Sequence, residues 1–76
     1  MIRPRVDNIR ARGKERGLAS DSAIARAADL DPGGFNRLMR GQARPGLSSI
    51  EGLLNAFQEL KFEDLFERVP APRGRR

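Results

Sequence analysis

The sequence predicts an all-α fold, a compact bundle of about five short helices. Three observations predict it. Apolar residues recur at helical spacing, most clearly Ile50, Leu53, Leu54 and Phe57 at i, i+3, i+4 and i+7. Residues that start helices and residues that stop them punctuate the chain at short intervals. No window alternates as a strand does, and no tract is repetitive or of low complexity.

The elements follow in chain order. Residues 1–5 read as a flexible basic arm: Pro4 blocks an early helix, and Arg3 and Arg5 face solvent or phosphate. The first helix begins near Pro4–Val6, with Val6, Ile9 and Gly13 on one face and Arg10, Arg12, Lys14 and Arg16 around the rest. Gly17 fits the position just past its end, where a positive φ suits glycine. The second helix starts at Ser20, a good N-cap, with Asp21 favoured by the macrodipole in the first turn. Its body, Asp21–Ala28, is rich in alanine, and its apolar stripe is Ile24, Ala27 and Ala28. Asp31 caps the third helix, and Pro32 occupies the first position, where a missing N–H costs nothing. That helix runs to about Arg40, stops at Gly41, and buries Phe35, Leu38 and Met39. Residues 42–46 form a loop. The fourth helix starts at Ser48 with Ser48 and Glu51 as a capping box. A fifth, Phe62–Glu67, presents Leu65 and Phe66. Pro70 and Pro72 end regular structure, so residues 68–76 read as a basic, disordered tail.

Composition narrows the function. A chain of 76 residues makes one domain, here residues 6–67. It has no Cys and no His, which removes disulfides, the usual zinc sites and His-based proton transfer. No cofactor or metal is expected. The carboxylates are scattered and no nucleophile–base pair can be drawn, so an enzyme is not expected either. No apolar run approaches the ~20 residues that span a bilayer, and no apolar leader opens the chain; a soluble cytoplasmic protein without membrane contact is the expectation. The net charge of +5 is uneven. Residues 1–50 carry +5, residues 51–67 carry −4, and residues 68–76 carry +4. Such asymmetry suits a polyanionic partner, though a solvated surface would look the same.

A motif emerges from the spacing of the small and apolar residues. Ile24, Ala25, Ala28, Leu30, Phe35 and Leu38 stand at positions 4, 5, 8, 10, 15 and 18 of a window beginning at Asp21. Two short helices crossing steeply about a three-residue turn, Asp29–Asp31, need apolar contacts at those places and a small residue where the backbones meet. This is the spacing of a helix-turn-helix.

With those residues in view, the chain resembles the lambda-repressor-like, Cro-type helix-turn-helix DNA-binding family over roughly Val6–Glu67. Gly17-Leu18, Ile24-Ala25, Phe35, Leu38 and Arg40-Gly41 carry the resemblance, followed by Arg44-Pro45, Ser48, Glu51, Leu53-Leu54 and Phe62–Leu65. Asp29 stands where the family usually has glycine in the turn. Gly33 and Gly34 stand where the family places base-reading side chains.

The resemblance implies a small bacterial or phage transcriptional regulator, a repressor sooner than an activator, with the third helix in the major groove of double-stranded DNA. On that pose Arg37 suits guanine and Asn36 suits adenine. Arg40 and Arg44 suit phosphate, as do Arg10 and Arg12, while Ser20 and Ser22 begin a helix whose amides can bind phosphate. Gly33 and Gly34 either admit a close approach of backbone to DNA or leave direct readout sparse. Arg3, Arg5, Arg73, Arg75 and Arg76 add general affinity. Each of these side chains also has an ordinary reading as solvated surface. The resemblance further implies a homodimer on half-sites roughly 34 Å apart, with residues 51–67 as either the interface or the closure of the monomer core. An alternative on the same fold is a protein-interaction module of antitoxin or anti-repressor type, with a protein partner in place of DNA.

Overall fold

The computed structural model describes residues 1–70 and contains five helices flanked by two short strands. The order is β1 (Ile2–Pro4), α1 (Val6–Glu15), α2 (Asp21–Ala27), α3 (Pro32–Met39), α4 (Leu47–Ala56), α5 (Phe62–Leu65) and β2 (Phe66–Arg68). Among these residues no helix is long and apolar enough to cross a membrane.

The strands correct three expectations. The fold is mostly helical but not all-α; the first residues are not a loose arm; and the last helix stops at Leu65 rather than Glu67. β1 and β2 pair antiparallel, with Ile2 opposite Arg68, Arg3 opposite Glu67 and Pro4 opposite Phe66. The Met1 ammonium donates to the Val69 carbonyl at 2.8 Å, the Val69 N–H donates back to Met1 at 2.8 Å, and the Arg5 N–H donates to Leu65 at 2.7 Å. Three residues are too few to show a period of two, and the partner lies at the far end of the chain, so local pattern does not announce the ribbon. Of the tail expected at 68–76, Arg68 belongs to β2, and residues 71–76 lie outside the described residues.

Helices α1, α2 and α3 end in one way. In α2 the Leu30 N–H reaches the Ala25 carbonyl at 2.8 Å and the Asp29 N–H reaches Arg26 at 3.1 Å, a Schellman motif. The residue past the C-cap takes a left-handed φ of +78° at Gly17, +58° at Asp29 and +77° at Gly41. Asp29 is thus the side-chain-bearing member of the set, and it sits in the turn between α2 and α3. The starts of α2 and α3 follow expectation: Ser20 Oγ accepts from the Ala23 N–H at 3.1 Å, and Asp31 Oδ2 accepts from the Gly34 N–H at 2.8 Å. The start of α4 does not. Gly46 is its N-cap, Leu47 its first residue, and Ser48 and Glu51 form no cap bond.

The core contains Ile9, Ile24, Ala25, Ala28, Phe35, Leu38, Met39, Leu53, Phe57, Leu60, Leu65 and Phe66, one cluster drawn from every helix. Ala25 is buried and Ala27 exposed, so the inner stripe of α2 is Ile24, Ala25 and Ala28. Two glycines let helices touch. A Cβ at Gly13 would meet Ile24 Cδ1 at 2.8 Å, and one at Gly52 would overlap the Ala28 carbonyl oxygen in the α2–α3 turn. Gly52 therefore seats α4 directly on the turn that positions α3.

Candidate nucleic-acid interface

Charge sorts itself in the fold. Arg3 pairs with Glu67 at 2.6 Å across the ribbon, and Arg5 joins the same carboxylate at 3.3 Å. Arg10 grips Asp21 through two bonds, at 2.8 and 3.1 Å. Arg12 pairs with Glu15 at 3.4 Å. Arg16 pairs with Glu59, donates to the Ala56 carbonyl at 2.7 Å and lies 5.1 Å from the centre of the Phe57 ring, tying α1 to the end of α4. The hydrogen bond from Arg3 holds Glu67 below the usual carboxylate range, and that from Arg16 does the same for Glu59. The Asp21 hydrogen bond raises Arg10 further.

What is left over is instructive. Among the described residues, Arg26, Arg37, Arg40 and Arg44 make no ion pair, and all four are exposed. Among the described residues, Lys14, Lys61 and Arg68 are the other side-chain cations without an ion pair. The free positive charge thus gathers on α2, α3 and the loop after α3, whereas α1 and β1 have most of theirs neutralised at home.

The expected site residues fall into three groups. Gly33, Gly34, Asn36 and Arg37 lie together on α3. Cβ atoms built on Gly33 and Gly34 would each be 3.8 Å from an Arg37 guanidinium nitrogen, so this side chain leans back over the bare first turn. Asn36 and Arg37 are exposed, with Phe35 and Leu38 beneath them in the core. Arg40 and Arg44 form the second group, at the end of α3 and in the loop, each facing β1 across a groove. Arg10 and Ser20 form the third, lining a hollow of about 260 Å³ beside the start of α2. Ser22 is exposed there, while the Ser20 oxygen is engaged in its cap. Arg12 stands apart on α1 with Glu15.

Arg26 is the residue that sequence reading passed over. It lies four residues after Ser22 on the exposed side of α2, a helical spacing that marks it as a neighbour of the expected phosphate contact. The acids near α3 have structural duties: Asp31 caps the helix, and Asp29 takes the left-handed turn position.

No protein-family model matches the chain, and searches of curated proteins and of solved structures return no match either.

Proposed function

We propose that α2, the turn Ala28–Asp31 and α3 act as a helix-turn-helix that binds double-stranded DNA, with α3 in the major groove. The observation that carries this reading is the gathering of unpaired, exposed arginines, Arg26, Arg37, Arg40 and Arg44, on residues 26–44. A phosphate backbone is the partner that such a set of free cations suits best, because an arginine that meets phosphate releases a condensed counterion. Arg37 and Asn36 are the base-reading pair, offering a bidentate fork and a donor–acceptor edge. Arg26, Arg40 and Arg44 hold phosphate. Arg10 and Arg12 serve chiefly within the protein, through Asp21 and Glu15.

The reading extends to a small transcriptional repressor, which needs only to occupy its site. A second copy on a near-palindrome would meet a polar face of residues 51–67, exposed at Glu51, Asn55, Gln58, Glu59 and Glu63. Of the apolar residues of that segment, Leu53, Phe57, Leu65 and Phe66 are at most 1% exposed inside a single chain and Leu60 is 9% exposed, while Leu54, Ala56 and Phe62 are partly buried against the same core.

Selection of bound sequences from a random duplex pool tests the reading. The wild-type chain should enrich a short motif, and Arg37→Ala should lose preference at one position, with a cost equivalent to about 1–3 kcal/mol there. Arg44→Ala should weaken all sequences alike. Failure to enrich any motif, with no retention of the unselected pool at low salt, would refute it.

A further inference from the structure

We infer that the bare first turn of α3 seats the Arg37 guanidinium and that Asp31 holds it there, so that Gly33, Gly34 and Asp31 together decide which base pair Arg37 reads. This rests on the DNA reading of α3 and deepens it from a grip to a choice of sequence.

Helix geometry gives the direction. Side chains on a helix lean toward its N-terminus, so Arg37 passes over residues 33 and 34, its neighbours four and three positions back. Both are glycine, and the guanidinium reaches both. A Cβ built on Gly33 would lie 3.8 Å from Nη1, and one built on Gly34 would lie 3.8 Å from Nη2. Three to four residues of rise carry the fork about 5 Å toward the start of α3, more than one base-pair step of about 3.4 Å. Arg37 thus acts at the first turn, where residues 33 and 34 themselves offer no side chain.

Charge gives the hold. Asp31 Oδ2 lies 3.4 and 3.5 Å from the same two Cβ points, so carboxylate and guanidinium flank one bare patch. The carboxylate is itself fixed, because it accepts the Gly34 N–H at 2.8 Å and would uncap the helix by swinging away. That bond leaves further acceptor sites on its two oxygens, beside an arginine that no acid pairs with. An arginine held in place before DNA arrives loses less rotamer freedom on docking. Space gives the limit. An alanine methyl at residue 33 would meet the guanidinium at ordinary contact distance. A valine adds two γ-methyls around the same point and crowds the guanidinium off the turn. Asp31 is therefore a positioning residue, and Gly33 keeps the seat open.

The test uses the whole chain and two duplexes: the site selected by wild type, and the same site changed at the base pair whose preference Arg37→Ala loses. Anisotropy titrations give the ratio of affinities. Wild type should favour the selected site by about 5- to 150-fold, the worth of one bidentate fork. Gly33→Val should cut that ratio by about 3-fold or more, whereas Gly33→Ala should keep it. Asp31→Asn retains a good N-cap. It should cut the ratio as well, while binding to the changed duplex holds or tightens because a negative charge has gone. Loss of a cap alone would instead weaken both duplexes alike. In an Arg37→Ala background neither Gly33→Val nor Asp31→Asn should alter the ratio. A preference that survives in Gly33→Val and Asp31→Asn, both shown folded by melting, overturns this inference and leaves the DNA reading standing. A ratio that these substitutions alter equally without Arg37 also overturns it, because residues 31 and 33 would then touch DNA themselves. A motif that Arg37→Ala leaves intact overturns the base-reading role of Arg37 with it. A wild type that binds no duplex overturns the DNA reading as a whole.

Discussion

Replacing Gly52 with alanine probes how the scaffold fixes α3. In an exposed helix interior the change would stabilise by about 1 kcal/mol, because alanine is the better helix former. Gly52 is buried, however, and its new methyl would collide with the Ala28 carbonyl oxygen and crowd Leu30 at 3.2 and 3.3 Å. A carbonyl in a hydrogen-bonded turn cannot rotate aside as a side-chain tip can. The turn must move, and overpacking of this kind costs about 3 kcal/mol at the upper end of its usual range. Subtracting the helix-propensity gain leaves a net loss of about 2 kcal/mol, or a fall in melting temperature of about 8–16 °C for a chain of this size. Thermal unfolding followed by circular dichroism measures it. A Gly52→Ala variant that melts at or above wild type would refute the reasoning, and with it the claim that α4 is seated on the α2–α3 turn.

Other variants give results of opposite sign. Gly33→Ala and Gly34→Ala meet nothing nearer than 3.4 Å, so each should stabilise by about 0.5–1 kcal/mol; duplex affinity should nevertheless fall, and an unchanged affinity would show that the bare turn does not approach DNA. Asp29→Gly relieves a side chain held at φ +58° and should stabilise by about 0.5–1 kcal/mol, which denaturant titration would detect. Acid should destabilise the fold. Glu59 and Glu67 are held below the usual carboxylate range, so their contributions are complete above about pH 4.3 and are lost as pH falls through their lower folded values. Melting temperature should be level between neutrality and about pH 5 and decline below about pH 4, less steeply in Glu67→Gln; a rise on acidification would contradict the assignment.

The helix boundaries are legible in the sequence because their signals are local. Ser20, Asp31 and Pro32 start helices by satisfying or omitting orphan N–H groups, and Gly17 and Gly41 end them by adopting a left-handed φ. Asp29 is legible too, since its short polar side chain tolerates that conformation. The capping box at Ser48 fails because the N-cap falls two residues earlier, at Gly46, and places Ser48 inside the first turn of α4. The ribbon is not legible: its energetics lie in contacts between Met1–Arg5 and Leu65–Val69, at opposite ends of the chain. The same distance hides the charge sorting. Sequence shows arginines on α1 and β1 as freely as on α3, and the pairing of Arg3, Arg5 and Arg16 with Glu67 and Glu59 emerges only when the chain closes. That closure narrows the candidate interface to residues 26–44 and brings Arg26 into it.

The central claim, that the unpaired arginines of residues 26–44 grip DNA, is tested most directly by the salt dependence of binding to a mixed-sequence duplex. The three phosphate contacts, Arg26, Arg40 and Arg44, predict a slope of about −2.7 in log K against log salt, a loss of roughly 40-fold between 50 and 200 mM. Arg26→Gln should make that slope shallower by about 1, whereas Arg12→Gln should leave it unchanged. Absence of binding at 50 mM salt, or a slope indifferent to Arg26 and altered by Arg12, would contradict the account.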